Sequence, residues 1–204
     1  MVDPARAARR IRLENDKETQ ALMLRRSRAQ EVGRELARSI MARYITTMLL
    51  IQELENDFSY LCESAELLGR ATFRVEASLW SDELDLMTLG GCLHGVYNAL
   101  EAYFLRVAKF FENNVDQQVW HRDLLDRMIL EIPDIRPALL TDPDVVENID
   151  ELRRFRHLFR NLYKTRLKAP KLRIVYEAAK KIADDFLPMH RAFLSWLKSL
   201  AEAV

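Results

Sequence analysis

Glycine and proline are scarce in this chain of 204 residues, five and six of them. An all-β fold draws its many tight turns from those two residues, so their scarcity excludes most β architectures and favours helices. The two cysteines, Cys62 and Cys92, are too few for a disulfide framework and too far apart in sequence for a Cys-x-x-Cys pair. Uninterrupted apolar runs are short, four residues at 48–51, where a membrane-spanning helix takes about 20. The opening Met-Val-Asp-Pro runs into Arg-rich sequence and lacks the apolar stretch of a secretion signal. What is present is a hydrophobic fraction of 49%, enough for a real core in one or two domains, and the expectation is a cytoplasmic protein that does not enter a membrane.

There is also no net charge, since 31 basic residues balance 31 acidic ones. The balance hides a segregation: residues 1–43 carry a net +5, residues 44–150 a net −13 and residues 151–204 a net +8. Between Leu152 and Tyr176 stand nine Arg/Lys (Arg153, Arg154, Arg156, Arg160, Lys164, Arg166, Lys168, Lys171 and Arg173), with His157 among them and no acid. Like charges at helical spacing repel, so this density calls for contact with the acidic middle, in the same chain or another, or with a polyanion such as RNA. A solvated basic face is the plainer alternative.

Apolar residues recur at helical intervals. One face runs Met48, Ile51, Leu54, Phe58, Leu61, Ala65, Leu68; a second Leu86, Leu89, Leu93, Val96, Leu100, Phe104, Val107, Phe111; a third Ile182, Phe186, Met189, Phe193, Trp196, Leu200. Ser81 with Asp82 and Glu83 opens one helix, and Thr141-Asp142-Pro143-Asp144 opens another. Asn113-Asn114 closes the Leu86 series, Pro133 and Pro137 bracket a connector, Ala169-Pro170 separates the basic helix from the last one, and Pro188 should kink that last helix. Residues 1–43 are polar, Arg-rich and loosely periodic, and read as a helix or arm ahead of the bundle. The fold expected is all-α, an antiparallel helical bundle over residues 44–204 preceded by the Arg-rich helix or arm of residues 1–43.

Several chemistries have no sequence support. None of His94, His121, His157 and His190 follows a Glu at minus three, so no Glu-x-x-His pair of a di-iron bundle exists, and no metal or other cofactor is implied. Nucleophile-elbow, zincin and phosphate-loop motifs are missing as well. Gly90-Gly91 sits inside an apolar helical pattern and suits close helix packing. Trp80, Trp120, Trp196 and both cysteines fall on or beside core stripes.

The informative segment is Glu151-Leu-Arg-Arg-Phe-Arg-His-Leu-Phe-Arg-Asn-Leu-Tyr163. As a helix it buries Leu152, Phe155, Phe159 and Leu162, sets Arg156, Arg160 and Tyr163 beside that stripe, and turns Arg153 and His157 further round. Such a row suits phosphate and base contacts, with Arg153, Arg160 and Lys164 as the candidate RNA-binding residues. It suits a dimer seam equally.

Residues 152–163 resemble the signature helix of the HepT-like branch of HEPN proteins, the toxin half of HEPN/minimal-nucleotidyltransferase toxin–antitoxin pairs. Leu93-His94-Gly95-Val96-Tyr97-Asn98-Ala99-Leu100-Glu101 is similar to the Leu-His-x-x-Tyr-x-x-Leu-Glu helix of that branch, and Trp120-His121-Arg122-Asp123-Leu124-Leu125 to a third block. The likeness runs over roughly residues 48–200 and leaves residues 1–43 uncovered. It implies a homodimeric helical bundle whose Arg-x4-6-His motif forms a metal-independent ribonuclease site at the dimer cleft. There a histidine moves protons and the arginine stabilises phosphate charge.

Carried onto this chain, the motif arginine is Arg156, the polar residue after it His157, and the motif histidine falls on Asn161. An amide does not titrate near neutrality, so proton transfer worth roughly 10²–10⁴-fold is forfeited there. His157 is the candidate substitute. Tyr163 matches the tyrosine that, in the wider family, a nucleotidyltransferase antitoxin adenylylates. Two functions follow: a ribonuclease toxin that cleaves or binds RNA, impaired at Asn161, or a non-catalytic dimeric module that binds a nucleotidyltransferase-type antitoxin.

Overall fold

The computed structural model describes residues 4–112, 120–161 and 166–203, with side chains from 20–112, 123–161 and 166–203. Six helices occur among them: α1 (Pro4–Ala77), α2 (Glu83–Phe111), α3 (Trp120–Ile129), α4 (Pro143–Arg160), α5 (Ala169–Ala179) and α6 (Ile182–Glu202). The only β pairing among the described residues is an isolated bridge, Ile132 to Arg136. The chain divides into two units between Thr46 and Thr47.

The first unit is the N-terminal part of α1. Every side chain described from residue 20 to 46 is exposed, apolar ones such as Leu22, Met23, Val32 and Leu36 included. With no core to bury against, its periodicity is loose, and its helical state rests on Ala, Leu, Arg, Glu and Gln, all strong helix formers. The Arg-rich segment and the Met48 series therefore belong to one helix element, where the sequence suggests two.

The second unit holds the core. Leu50, Leu54, Leu61, Leu68 and Val75 of α1 pack with Leu89, Leu93, Val96, Leu100 and Val107 of α2 and with Ile182, Phe186, Phe193 and Leu197 of α6, all nearly inaccessible. Burying such a side chain contributes about 1.5–3 kcal/mol, so packing of these stripes outweighs helix propensity here. His190 of α6 lies inside this core, stacked on Phe58 at 4.2 Å and sharing a 3.0 Å hydrogen bond with the Tyr103 hydroxyl. Burial, with a smaller contribution from Arg191, pushes its pKa down to about 4.

The helix boundaries refine the sequence reading. Asp82, not Ser81, caps α2: its carboxylate accepts from the Asp85 amide at 2.8 Å, while Ser81 donates back to the Ser78 carbonyl. Asp142 caps α4 by accepting from the amides of Asp144 and Val145, with Pro143 in the first turn. Pro170 lies in the first turn of the short α5, and the chain breaks again at Lys180-Lys181, so the expected last helix is two. α6 runs on through Pro188. Asn113 and Asn114 lie outside the described residues.

The connector after α3 is organised by Arg136, whose side chain is fully inaccessible. It donates to the carbonyls of Leu130 and Arg127 and pairs with Glu112 at 2.8 Å. Burial alone raises the Glu112 carboxyl, but hydrogen bonds from Arg136 and Arg127 outweigh it and hold the group below its usual range.

Candidate functional site on α2 and α4

α4 buries Val145, Ile149, Leu152 and Phe155 along one stripe. That stripe turns Arg153 and Arg156 toward its flank and leaves Arg154, His157 and Arg160 exposed. The helix can approach α2 closely because α2 has Gly90 at the crossing. A Cβ there would come within 2.7 Å of the Phe159 ring and 2.9 Å of Leu167, whereas Gly91 faces open space.

Facing α4, His94, Asn98 and Glu101 stand four and three residues apart on α2, which sets them on one side of a helix whose middle, residues 89–105, is otherwise apolar. Arg156 reaches across to this row. Its Nη2 lies 2.9 Å from Glu101 Oε2, its Nε donates to Asn98 Oδ1 at 3.3 Å, and its guanidinium lies 5.6 Å from the centre of the Tyr97 ring. The Arg156 and Glu101 side chains are only 13% and 12% exposed, so this is a largely buried ion pair. Burial, with the Glu101 charge adding to it, keeps the Tyr97 hydroxyl protonated far above the ordinary tyrosine range.

His94 continues the chain of contacts. The Asn98 amide nitrogen and His94 Nδ1 are 3.0 Å apart, the ring lies against Phe159 at 5.5 Å, and Nε2 is buried with no hydrogen-bond partner. Burial lowers the His94 pKa, Arg156 and Arg160 lower it further, and Glu101 opposes them.

Much of the basic run is thus answered by acids of the same chain. Arg153 and Arg154 both pair with Asp150, Arg156 with Glu101 and Arg166 with Glu83, and Arg173 stacks over Trp80 at 4.6 Å. The acidic middle engages four of the nine basic residues, and Arg173 rests on an aromatic ring. Arg160 and His157 remain exposed at the C-terminal end of α4.

Of the residues singled out by sequence, Arg156 is therefore fixed by α2, and Arg153 is tied to its own helix. Asn161 is exposed and caps the end of α4: its side-chain amide donates to the His157 carbonyl at 2.8 Å, and its N–H points to the carbonyls of Leu158 and Phe159. Lys164 and Tyr163 lie outside the described residues, as do the side chains of Trp120 and His121. Asn98 and Glu101 were not singled out by sequence, although both sit in the Leu93–Glu101 block. The available signal was their polar spacing in the apolar middle of α2. Among the described residues no three His, Cys, Asp or Glu come together as a metal-binding group, and no helix is long and apolar enough to cross a membrane.

Compared with known proteins, the chain matches no curated protein and no solved structure. It does match a family model described as HepT-like protein over residues 88–197, more than half its length. That span contains every residue of the His94–Asn98–Arg156–Glu101 cluster and the whole of the signature segment. On this match and on its all-α bundle, the chain belongs to the HepT-like HEPN family.

Proposed function

We propose that the protein acts on RNA in the cytoplasm as a homodimeric toxin-type HEPN protein, holding the phosphate backbone on the cationic end of α4 and cleaving it weakly. Arg156 supplies fixed positive charge to the phosphate, Arg153, Arg160 and Lys164 supply further grip, and His157 and Asn161 stand nearest the chemistry. The observation that carries this reading is the pairing of a locked arginine, Arg156, with exposed Arg160 and His157 on the same helix end. A preorganised guanidinium stabilises developing phosphate charge without reorganising first.

Asn161 supports weak rather than full cleavage. Its amide is engaged with the His157 carbonyl and does not titrate near neutrality, so it cannot serve as a general acid or base. The test is labelled tRNA or mRNA in EDTA with wild-type protein and Asn161→His. The reading expects RNA binding by both and cleavage faster by roughly 10²–10⁴-fold in Asn161→His. A wild type and a variant that neither bind nor cut RNA contradict it.

A second reading, a non-catalytic partner of a nucleotidyltransferase-type antitoxin that modifies Tyr163, draws on a different surface. Between α4 and α5 lies a cleft of about 520 Å³, floored by Phe155, Leu172 and Val175 and rimmed by Arg154, Lys168 and Lys171. Leu158 and Ile174 beside it are 45% and 62% exposed. Apolar surface of this kind, rimmed by polar residues, marks an interaction site.

A further inference from the structure

Asn98 is bonded on both sides, and the chemistry of its neighbours leaves it one orientation. Arg156 Nε can only donate, so Asn98 must present Oδ1 to it. The amide NH2 is then what remains for His94, and His94 Nδ1 must accept. The imidazole proton therefore sits on Nε2, the buried atom that has no acceptor. His94 tolerates an unpaired donor because the other tautomer would set two donors against each other at Asn98.

Protonation of His94 breaks this arrangement. With Nδ1 carrying a proton, Asn98 Nδ2 loses its acceptor and faces a donor. Turning the amide to offer Oδ1 to His94 would aim its NH2 at Arg156 Nε, donor against donor. One of the two bonds must open, and the bond to Arg156 is the longer, 3.3 Å against 3.0 Å, so the charged imidazole takes Oδ1 and Arg156 loses its Nε contact while keeping Glu101. The charged groups around the ring are Arg156 and Arg160 of α4 and Glu101 of its own helix, and the two arginines outweigh the one acid.

We propose that Asn98 is a tether that holds Arg156 only while His94 is neutral, which makes His94 and Asn98 positioning residues for the arginine of the site. The link to RNA rests on Arg156 being the phosphate-binding arginine, as proposed above. The tether itself is independent of RNA.

The test uses nitrogen-edited NMR of the free full-length protein. At neutral pH the His94 nitrogens should report an Nε2–H tautomer, and the Arg156 Nε–H should exchange slowly with water. On acidification that protection should be lost with the same midpoint as the His94 titration. In Asn98→Asp, a carboxylate accepts from both neighbours at once. There the His94 midpoint should rise by about one unit or more, and Arg156 Nε–H should stay protected through it. A parallel RNA titration should show wild type losing affinity, relative to Asn98→Asp, as pH falls through the wild-type midpoint.

An Nδ1–H tautomer at neutral pH overturns the tether, as does Arg156 protection that ignores the His94 titration in wild type. A tether that behaves as stated while RNA affinity is indifferent to it supports the coupling and removes Arg156 from RNA binding, so the two ideas fail separately.

Discussion

Glu101 of α2 and Arg156 of α4, 55 residues apart in the chain, meet at 2.9 Å with both side chains almost out of solvent. The pair ties the basic segment to the acidic middle and sets a conflict between stability and binding. A carboxylate that fixes the arginine also competes with any phosphate for it. Glu101→Gln should therefore lower stability by about 2–3 kcal/mol, the scale of a lost charged hydrogen bond, as read from urea unfolding. The same variant should bind RNA several-fold more tightly. Stability and affinity falling together would mean that Glu101 positions Arg156 more than it neutralises it.

The crossing of α2 and α4 makes Gly90 and Gly91 respond oppositely to the same substitution. Alanine is worth about 1 kcal/mol more than glycine inside a helix. At Gly91 nothing opposes that gain, so Gly91→Ala should stabilise by about 0.5–1 kcal/mol. At Gly90 the new methyl meets Phe159 and Leu167 below contact distance, and Gly90→Ala should cost about 1–2 kcal/mol net by overpacking. Thermal unfolding of the two variants side by side checks the sign of each.

His190 should give the fold an acid limb of its own. Its pKa is about 4 in the folded protein against an ordinary 6.5, so between those values the unfolded chain binds the proton and the native core does not. Stability is thus fully present above pH 6.5, falls as pH drops toward 4 and levels off below, with a total of about 3 kcal/mol at stake. His190→Gln keeps a polar partner for the Tyr103 hydroxyl and has nothing to titrate. Melting temperature against pH should lose this limb in the variant, and an unchanged profile would assign the acid sensitivity elsewhere.

The core helices are legible in the sequence because burial imposes a period. Leu89, Leu93, Val96, Leu100 and Val107 all lie on the buried side that their spacing marks out. Where no face is buried the signal fails. Residues 20–46 show only loose periodicity, and their membership of the same helix as Leu54 and Leu61 rests on the absence of any glycine or proline between Gly33 and Leu61. The break at Lys180-Lys181 is hidden for the opposite reason: no glycine or proline marks it. At the site, the sequence picks out Arg156 but not what holds it. Asn98 and Glu101 are separated from it by more than 50 residues, and only the Gly90 crossing brings the helices close enough to join them. The role of Asn161 as a helix cap is likewise set by where α4 ends.

Affinity for single-stranded RNA measured across a range of salt concentrations probes the cationic end of α4 most directly. Each phosphate neutralised by a side chain contributes about 0.7 to the slope of log affinity against log salt. Wild type should weaken steeply as salt rises, and Arg160→Ala should bind less tightly with a slope shallower by about that amount. Binding that is absent, or that ignores salt and the loss of Arg160, would contradict an RNA-directed role for this helix and leave the family fold without the proposed substrate.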